Sequence, residues 1–207
     1  MTLAEMMQQY ELNRRALEDE LADRCDVFSD IQPQLPLLRA AAAAVARDGQ
    51  IVELGTRSGN STCALLAGAA ASRARVWSVD LERPNVPGWW PGLTYLWSSI
   101  VGSDLDEAVL AALPERIDLL FLDTSHLYDD TYRELEIYLP RMRPGGAVLC
   151  HDTRLDKDEL GSYMGGVTLP GPQFPVATAL DDFCHRAGLA WFETSGGYGL
   201  GRIEVPK

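Results

Sequence analysis

Basic residues are scarce in this chain: 18 Lys and Arg stand against 30 Asp and Glu in 207 residues, a formal charge of −12. A nucleic-acid surface needs clustered Lys and Arg to displace counterions from phosphates, and an anionic membrane attracts the same groups, so neither is an expected partner. Long apolar runs are missing too. No stretch approaches the roughly 18 uninterrupted apolar residues of a membrane span. The opening MTLAEMMQQYELNRR lacks the basic-then-apolar order of a secretory signal. A cytoplasmic location is the expectation. Cys25, Cys63, Cys150 and Cys184 are widely scattered and form no CxxC pair. Free, buried thiols are therefore expected rather than a zinc site or a disulfide framework. The chain has no internal repeat, and its one biased tract, AAAAAVA from residue 40, favours helix over disorder.

What is present fits one well-packed α/β domain. From Leu3 to about Arg24, charged and apolar residues mix at helical spacing, which predicts a partly exposed, acidic helix able to pack on the domain or on a second copy of the chain. A second helix is expected after Pro36, ending before Gly49. Thereafter apolar runs alternate with helical stretches. The runs are Ile51 to Leu54, Arg75 to Val79, Tyr95 to Val101, Ile117 to Leu122 and Ala147 to Cys150, nearly continuous as in parallel strands covered on both faces. Helices are expected from Ser61 to Ala71, Asp104 to Leu113, Asp129 to Leu139 and Val176 to Ala187, and further strands near Ala190 and Gly201, joined through SGGYG. The connection LERPNVPGWWPGLT, with three prolines and two glycines in fourteen residues, will not form a regular helix. The rhythm is that of a doubly wound, Rossmann-like sheet of about seven strands. It divides the chain into N-terminal helices (1–48), a binding core (49–153), a Gly- and Pro-rich segment expected to form a lid loop (154–175), and a final helix with two strands (176–207).

In such a sheet the ligand sits beyond the carboxyl ends of the strands, where the first strand turns into its helix. GTRSGNST occupies that place. Gly55 lets the backbone approach a ligand, Gly59 permits an otherwise strained turn, and the amides of residues 60–62 offer a positive helix end. The spacing is G-x-x-x-G rather than the G-x-G-x-x-G of dinucleotide sites, and Glu53 would repel a pyrophosphate. This weighs against a nicotinamide-dependent oxidoreductase. It suits a ligand carrying an amine beside its carboxylate. Asp80, about twenty residues past the glycines, ends the second strand where an acidic side chain accepts ribose hydroxyls.

An amino acid joined to a ribose describes S-adenosylmethionine (SAM), and from Ile51 to Thr153 the sequence resembles the class I SAM-dependent methyltransferases. The resemblance rests on VELGTRSGNST, VD at 79–80, IVGSD at 100–104, RPGG at 143–146 and D-x-x-H-x-Y from Asp123 to Tyr128. The last of these is similar to the subgroup of macrocin and mycinamicin O-methyltransferases and the cephalosporin hydroxylase-associated protein. The resemblance implies a sheet whose last strand is antiparallel. It implies that Glu53, Gly55 and Gly59 line the methionine end, that Ser61 binds its carboxylate and Asp80 its ribose, and that Ser103 and Asp104 flank the adenine. Asp104 also reads as a helix N-cap.

Methyl transfer to a hydroxyl needs alignment and a stronger nucleophile than a neutral alcohol. A divalent ion such as Mg²⁺ lowers the hydroxyl's pKa while a nearby His takes the proton. The resemblance places Asp123 and Asp152 as metal ligands and His126 as base. The macrolide enzymes carry a carboxylate where this chain has His151. Imidazole suits transition metals better than Mg²⁺, so His151 is left as a ligand of a softer ion, a second base, or a hydrogen-bonding group in a metal-free site. The expected function is methyl transfer from SAM to a hydroxyl of a small-molecule acceptor, a natural product or its sugar. Its rivals are a metal-independent O- or N-methyltransferase and a non-catalytic, cofactor-binding partner protein. Tyr163, Met164, Trp89 and Trp90 are candidate acceptor contacts, and His185, near Cys184, is expected to be a surface or packing residue.

Overall fold

Each apolar run becomes a strand, and the strands form one seven-stranded sheet in the order β3-β2-β1-β4-β5-β7-β6. The computed structural model describes residue 8 and residues 30–84, 96–194 and 196–207. The helix expected from Leu3 to Arg24, Cys25 and the Trp89–Trp90 pair lie outside the described residues. The strands are β1 (Gln50–Leu54), β2 (Arg75–Asp80), β3 (Trp97–Val101), β4 (Ile117–Leu122), β5 (Met142–His151), β6 (Trp191–Thr194) and β7 (Leu200–Glu204). All neighbouring pairs are parallel except those made by β7, which runs antiparallel to both β5 and β6. The expected antiparallel last strand is therefore present.

The α-helices are α1 (Leu35–Ala44), α2 (Asn60–Ser72), α3 (Glu107–Ala112), α4 (Tyr128–Tyr138), α5 (Lys157–Tyr163) and α6 (Pro175–Ala187). Alternate strand residues feed two separate cores. Ile51, Leu119, Phe121 and Leu149 pack with α1 and α2 on one face. Val52, Leu120, Leu122 and Val148 pack with α3, α4 and α6 on the other. Helix α2 is buried at every position from Ser61 to Ala70, because it lies between the sheet and α1 and has no solvent face. Its small residues permit this: a Cβ on Gly68 would come within 2.2 Å of the Arg39 carbonyl oxygen.

Three local expectations are corrected. Residues 154–175 are not one loop, since α5 forms within them: Asp156 caps it by accepting hydrogen bonds from the amides of Asp158 and Glu159, and Leu160 is buried. The N-cap of α3 is Asp106, not Asp104. Strand β5 begins at Met142 and absorbs the RPGG stretch, with a register shift between Ile117 and Leu119 on its partner. Cys63, Cys150 and Cys184 are buried thiols outside any disulfide, as expected, and His185 sits exposed in the last turn of α6.

Candidate active site

The order of strands reverses between β1 and β4, and there the carboxyl ends open a cavity of about 560 Å³. Its floor is the turn between β1 and α2. Gly55, Arg57 and Gly59 all adopt positive φ, at 86°, 50° and 79°. Gly55 is obligatory for a second reason: a Cβ there would lie 1.9 Å from the backbone oxygen of Asp123. Asp80 pins this turn. Its Oδ2 accepts from the amides of Thr56 at 2.8 Å and Arg57 at 2.7 Å, and its Oδ1 accepts from Glu82 at 3.1 Å. Asp80 thus reaches the cavity wall as the sequence predicts, while also stabilising the backbone of residues 56–57.

Glu53 differs from its expected place. It is fully buried and lies beneath the turn, where its Oε2 accepts hydrogen bonds from Thr62 Oγ1 at 2.7 Å and Ser78 Oγ at 2.5 Å. Burial pushes its carboxyl up to about 7, against the pull of the Ser61, Ser78 and Thr62 hydroxyls. Ser61 accordingly serves Glu53, and neither residue lines the cavity. Between about 4.5 and about 7 the folded chain holds a proton that the unfolded chain releases, so this stability is complete below the lower value and lost as pH rises through the upper. Glu53→Gln should remove that slope. Melting temperatures of the two proteins from about pH 5 to about pH 8 test it; parallel curves would refute the burial effect.

The opposite wall carries the reactive groups. Parallel pairing of Leu122 with Cys150 sets the next residues, Asp123 and His151, side by side. Asp123, His126 and Asp152 each offer a ligand atom within 4.8 Å of the others. His126 Nδ1 lies 3.1 Å from Asp152 Oδ2 and 4.0 Å from Asp123 Oδ1. His126 and Asp152 both adopt the left-handed conformation, with φ of 60° and 62°, which side chains other than glycine enter at a cost of about 1–3 kcal/mol. His151 stands behind them, outside that ligand group, its Nδ1 3.2 Å from Asp123 Oδ1 and 3.1 Å from Asp152 Oδ1. Burial alone would lower the His151 pKa, but the facing carboxylates raise it to about 10. The same contact holds Asp123 below its ordinary value despite its burial.

At the other end of the cavity Asp104 lines the wall, whereas Ser103 turns back to accept the Leu105 amide at 3.2 Å. Behind Asp104 stands Glu134, a residue the sequence reading missed. Burial first, and then the hydrogen bond with Asp104, raises the Glu134 pKa well above the carboxylate range, so this acid keeps its proton. Its Oε1 accepts from Thr124 Oγ1 at 2.6 Å. The signal was legible: Thr131, Glu134, Leu135 and Tyr138 share the buried face of α4, and a Glu there needs a partner.

The remaining wall is apolar and aromatic, with Leu155, Leu160, Tyr163 and Tyr198. Tyr198 donates to Glu159 Oε1 at 2.5 Å, and the two phenol oxygens lie 2.8 Å apart. Of the residues expected here Tyr163 lines the cavity and Met164 does not. Tyr198 escaped notice because the β6–β7 turn reaches the site only through the antiparallel return of β7.

A family model described as a methyltransferase domain matches residues 52–153. No curated protein matches the sequence. Among solved structures, a Corynebacterium glutamicum protein aligns with a TM-score of 0.61 at 16% identity, over 95% of this chain and 90% of the other. The O-methyltransferase TomG from Streptomyces achromogenes, solved with SAM, aligns at 0.57 and 21% identity, over 87% and 82%. A Bacillus cereus O-methyltransferase, solved with S-adenosylhomocysteine (SAH), aligns at 0.56 and 15%, over 93% and 90%. The chain therefore has the α/β, Rossmann-like fold of the solved class I methyltransferases, and residues 52–153, which hold the turn, Asp80 and the Asp123–His126–Asp152 group, match the methyltransferase-domain model.

Proposed function

We propose that the chain transfers a methyl group from SAM to a hydroxyl of a small molecule, a natural product or its sugar moiety. The observation that carries this reading is the meeting in one cavity of the Asp80-pinned turn with Asp123, His126 and Asp152. SAM, when bound, supplies an activated methyl on a sulfonium. Gly55 and Gly59 give its methionine part close approach to the backbone, Asp80 accepts from its ribose, and Asp104 lies at its adenine. Glu53 supports the turn from below.

At the reacting end, Asp152 Oδ2 holds the Nδ1 of His126, so its Nε2 is the ring nitrogen left to accept the acceptor's proton. Asp123 and Asp152 fit a cation: with His126 they bring one ligand atom each within 4.8 Å of one another. A divalent ion there would lower the acceptor hydroxyl's pKa. Mg²⁺ would draw on the two carboxylates, and an ion that favours nitrogen would add His126. Leu155, Leu160, Tyr163 and Tyr198 would exclude water around the acceptor.

A metal-independent reading has its own support, because His151, whose pKa the facing carboxylates raise to about 10, already stands 3.1–3.2 Å from both of them and offsets their charge. Calorimetry with SAH tests the cofactor site, and no heat of binding by folded protein would sink the whole reading. Release of SAH from SAM, assayed across hydroxylated small molecules, then finds an acceptor. Chelation with EDTA separates the two mechanisms: the metal-assisted one loses activity that Mg²⁺ or Mn²⁺ restores, and the other keeps its rate.

A further inference from the structure

Beside the main cavity lies a second, much smaller one of about 10 Å³, whose lining includes Thr124, His126, Glu134, Cys150, His151 and Val176. That is close to the roughly 10–15 Å³ needed to hold one water. Among the polar atoms on this wall, His151 Nε2 is buried with no hydrogen-bond partner among the described protein atoms, and Glu134 Oε2 has none besides Asp104. Both residues are only 2% exposed. The imidazole cannot turn to relieve this, since its Nδ1 is engaged by Asp123 and Asp152. The Glu134 carboxyl is likewise fixed, by Thr124 on one oxygen. Buried polar groups are almost always paired, and an ordered water is the usual partner where side chains do not reach. Water also serves Nε2 in either protonation state, accepting from it or donating to it.

We propose that this cavity binds one water molecule between His151 Nε2 and Glu134, and that Glu134 acts through it as a positioning residue. The water fixes the His151 ring from behind, and the ring fixes Asp123 and Asp152 in front. A continuous chain results, from Asp104 at one end of the main cavity through Glu134, the water and His151 to the two carboxylates at the other. The water site stands on the protein's own atoms. Its bearing on catalysis rests on the proposed function.

The test is a crystal structure of the full chain with SAH, together with nitrogen-15 spectra of the His151 ring in wild type, Glu134→Gln and Glu134→Leu. The expected result is density about 2.7–3.2 Å from His151 Nε2, an Nε2 resonance shifted in Glu134→Leu, and its return in Glu134→Gln, which keeps a polar partner. A cavity without density, or an Nε2 resonance indifferent to Glu134→Leu, overturns the proposal. If Glu134→Leu does not fold, Val176→Ile adds a carbon at the cavity wall with the polar groups intact. Displaced density with a shifted resonance then supports the inference, and displaced density with an unchanged resonance refutes it. A chain that shows the water but binds no SAH counts against the proposed function alone.

Discussion

Asp152→Asn should lower kcat by about 10²–10⁴-fold while leaving SAH affinity within about threefold. The substitution removes a charge and keeps the shape. Asn tolerates the left-handed backbone that Asp152 adopts at φ 62°, and it has nearly the same shape. What it alters is the group facing His126 Nδ1 on one oxygen and His151 Nδ1 on the other, each 3.1 Å away. A carboxylate there accepts a hydrogen bond from Nδ1–H and keeps Nε2 free to act as a base. A carboxamide can present its NH₂ instead, which selects the tautomer with the proton on Nε2, where it blocks proton abstraction. Steady-state kinetics with an acceptor identified by SAH release, beside SAH calorimetry, measures both quantities. A kcat within about threefold of wild type would remove Asp152 and the His126 dyad from the chemistry.

Gly55→Ala should be the most damaging single methyl in the chain. Its Cβ would stand 1.9 Å from the Asp123 carbonyl oxygen and 2.7 Å from its carbon, at a φ of 86°. Overpacking costs about 1–3 kcal/mol and the left-handed conformation about 1–2 kcal/mol more. Since 1 kcal/mol shifts the melting point of a domain of this size by about 2–4 °C, a fall of roughly 5–15 °C is expected. SAH binding should also weaken by more than about tenfold, because relief of the clash separates the turn from the end of β4. Gly171→Ala is the control: its φ is 98°, but nothing lies within 4 Å of the added carbon. Equal losses in the two variants would show that conformation, not contact, decides the cost.

The parts of this fold that could be read from sequence are those whose signal is local. Ile117 to Leu122 is a strand in the structure as in the pattern, because six apolar-rich residues between turn signals have one way to be buried on both faces. The GTRSG turn was legible for a similar reason: its glycines meet φ requirements set within five residues. The site at the far wall was legible in residue type but not in arrangement. Asp123, His126 and Asp152 stood out, yet their convergence depends on the β4–β5 register, a non-local fact. Glu53 was assigned to the ligand because its depth below the turn is set by α2 packing over it. Helix α5 was hidden by the glycines and prolines around it, although Asp156, followed by Glu159, is the sequence mark of a capped start.

The late hairpin carries a consequence for how the fold comes into being. Asp152 is tied at its amide to the Gly199 carbonyl, Arg154 to that of Tyr198, and the Thr153 hydroxyl to Glu193. These partners leave the ribosome some forty or more residues after Asp152, when most of the sheet can already have paired. A nascent chain can therefore own the Asp80-pinned turn well before Asp152 is held in place. Until β7 emerges, the outer edge of β5 stays open to other strands.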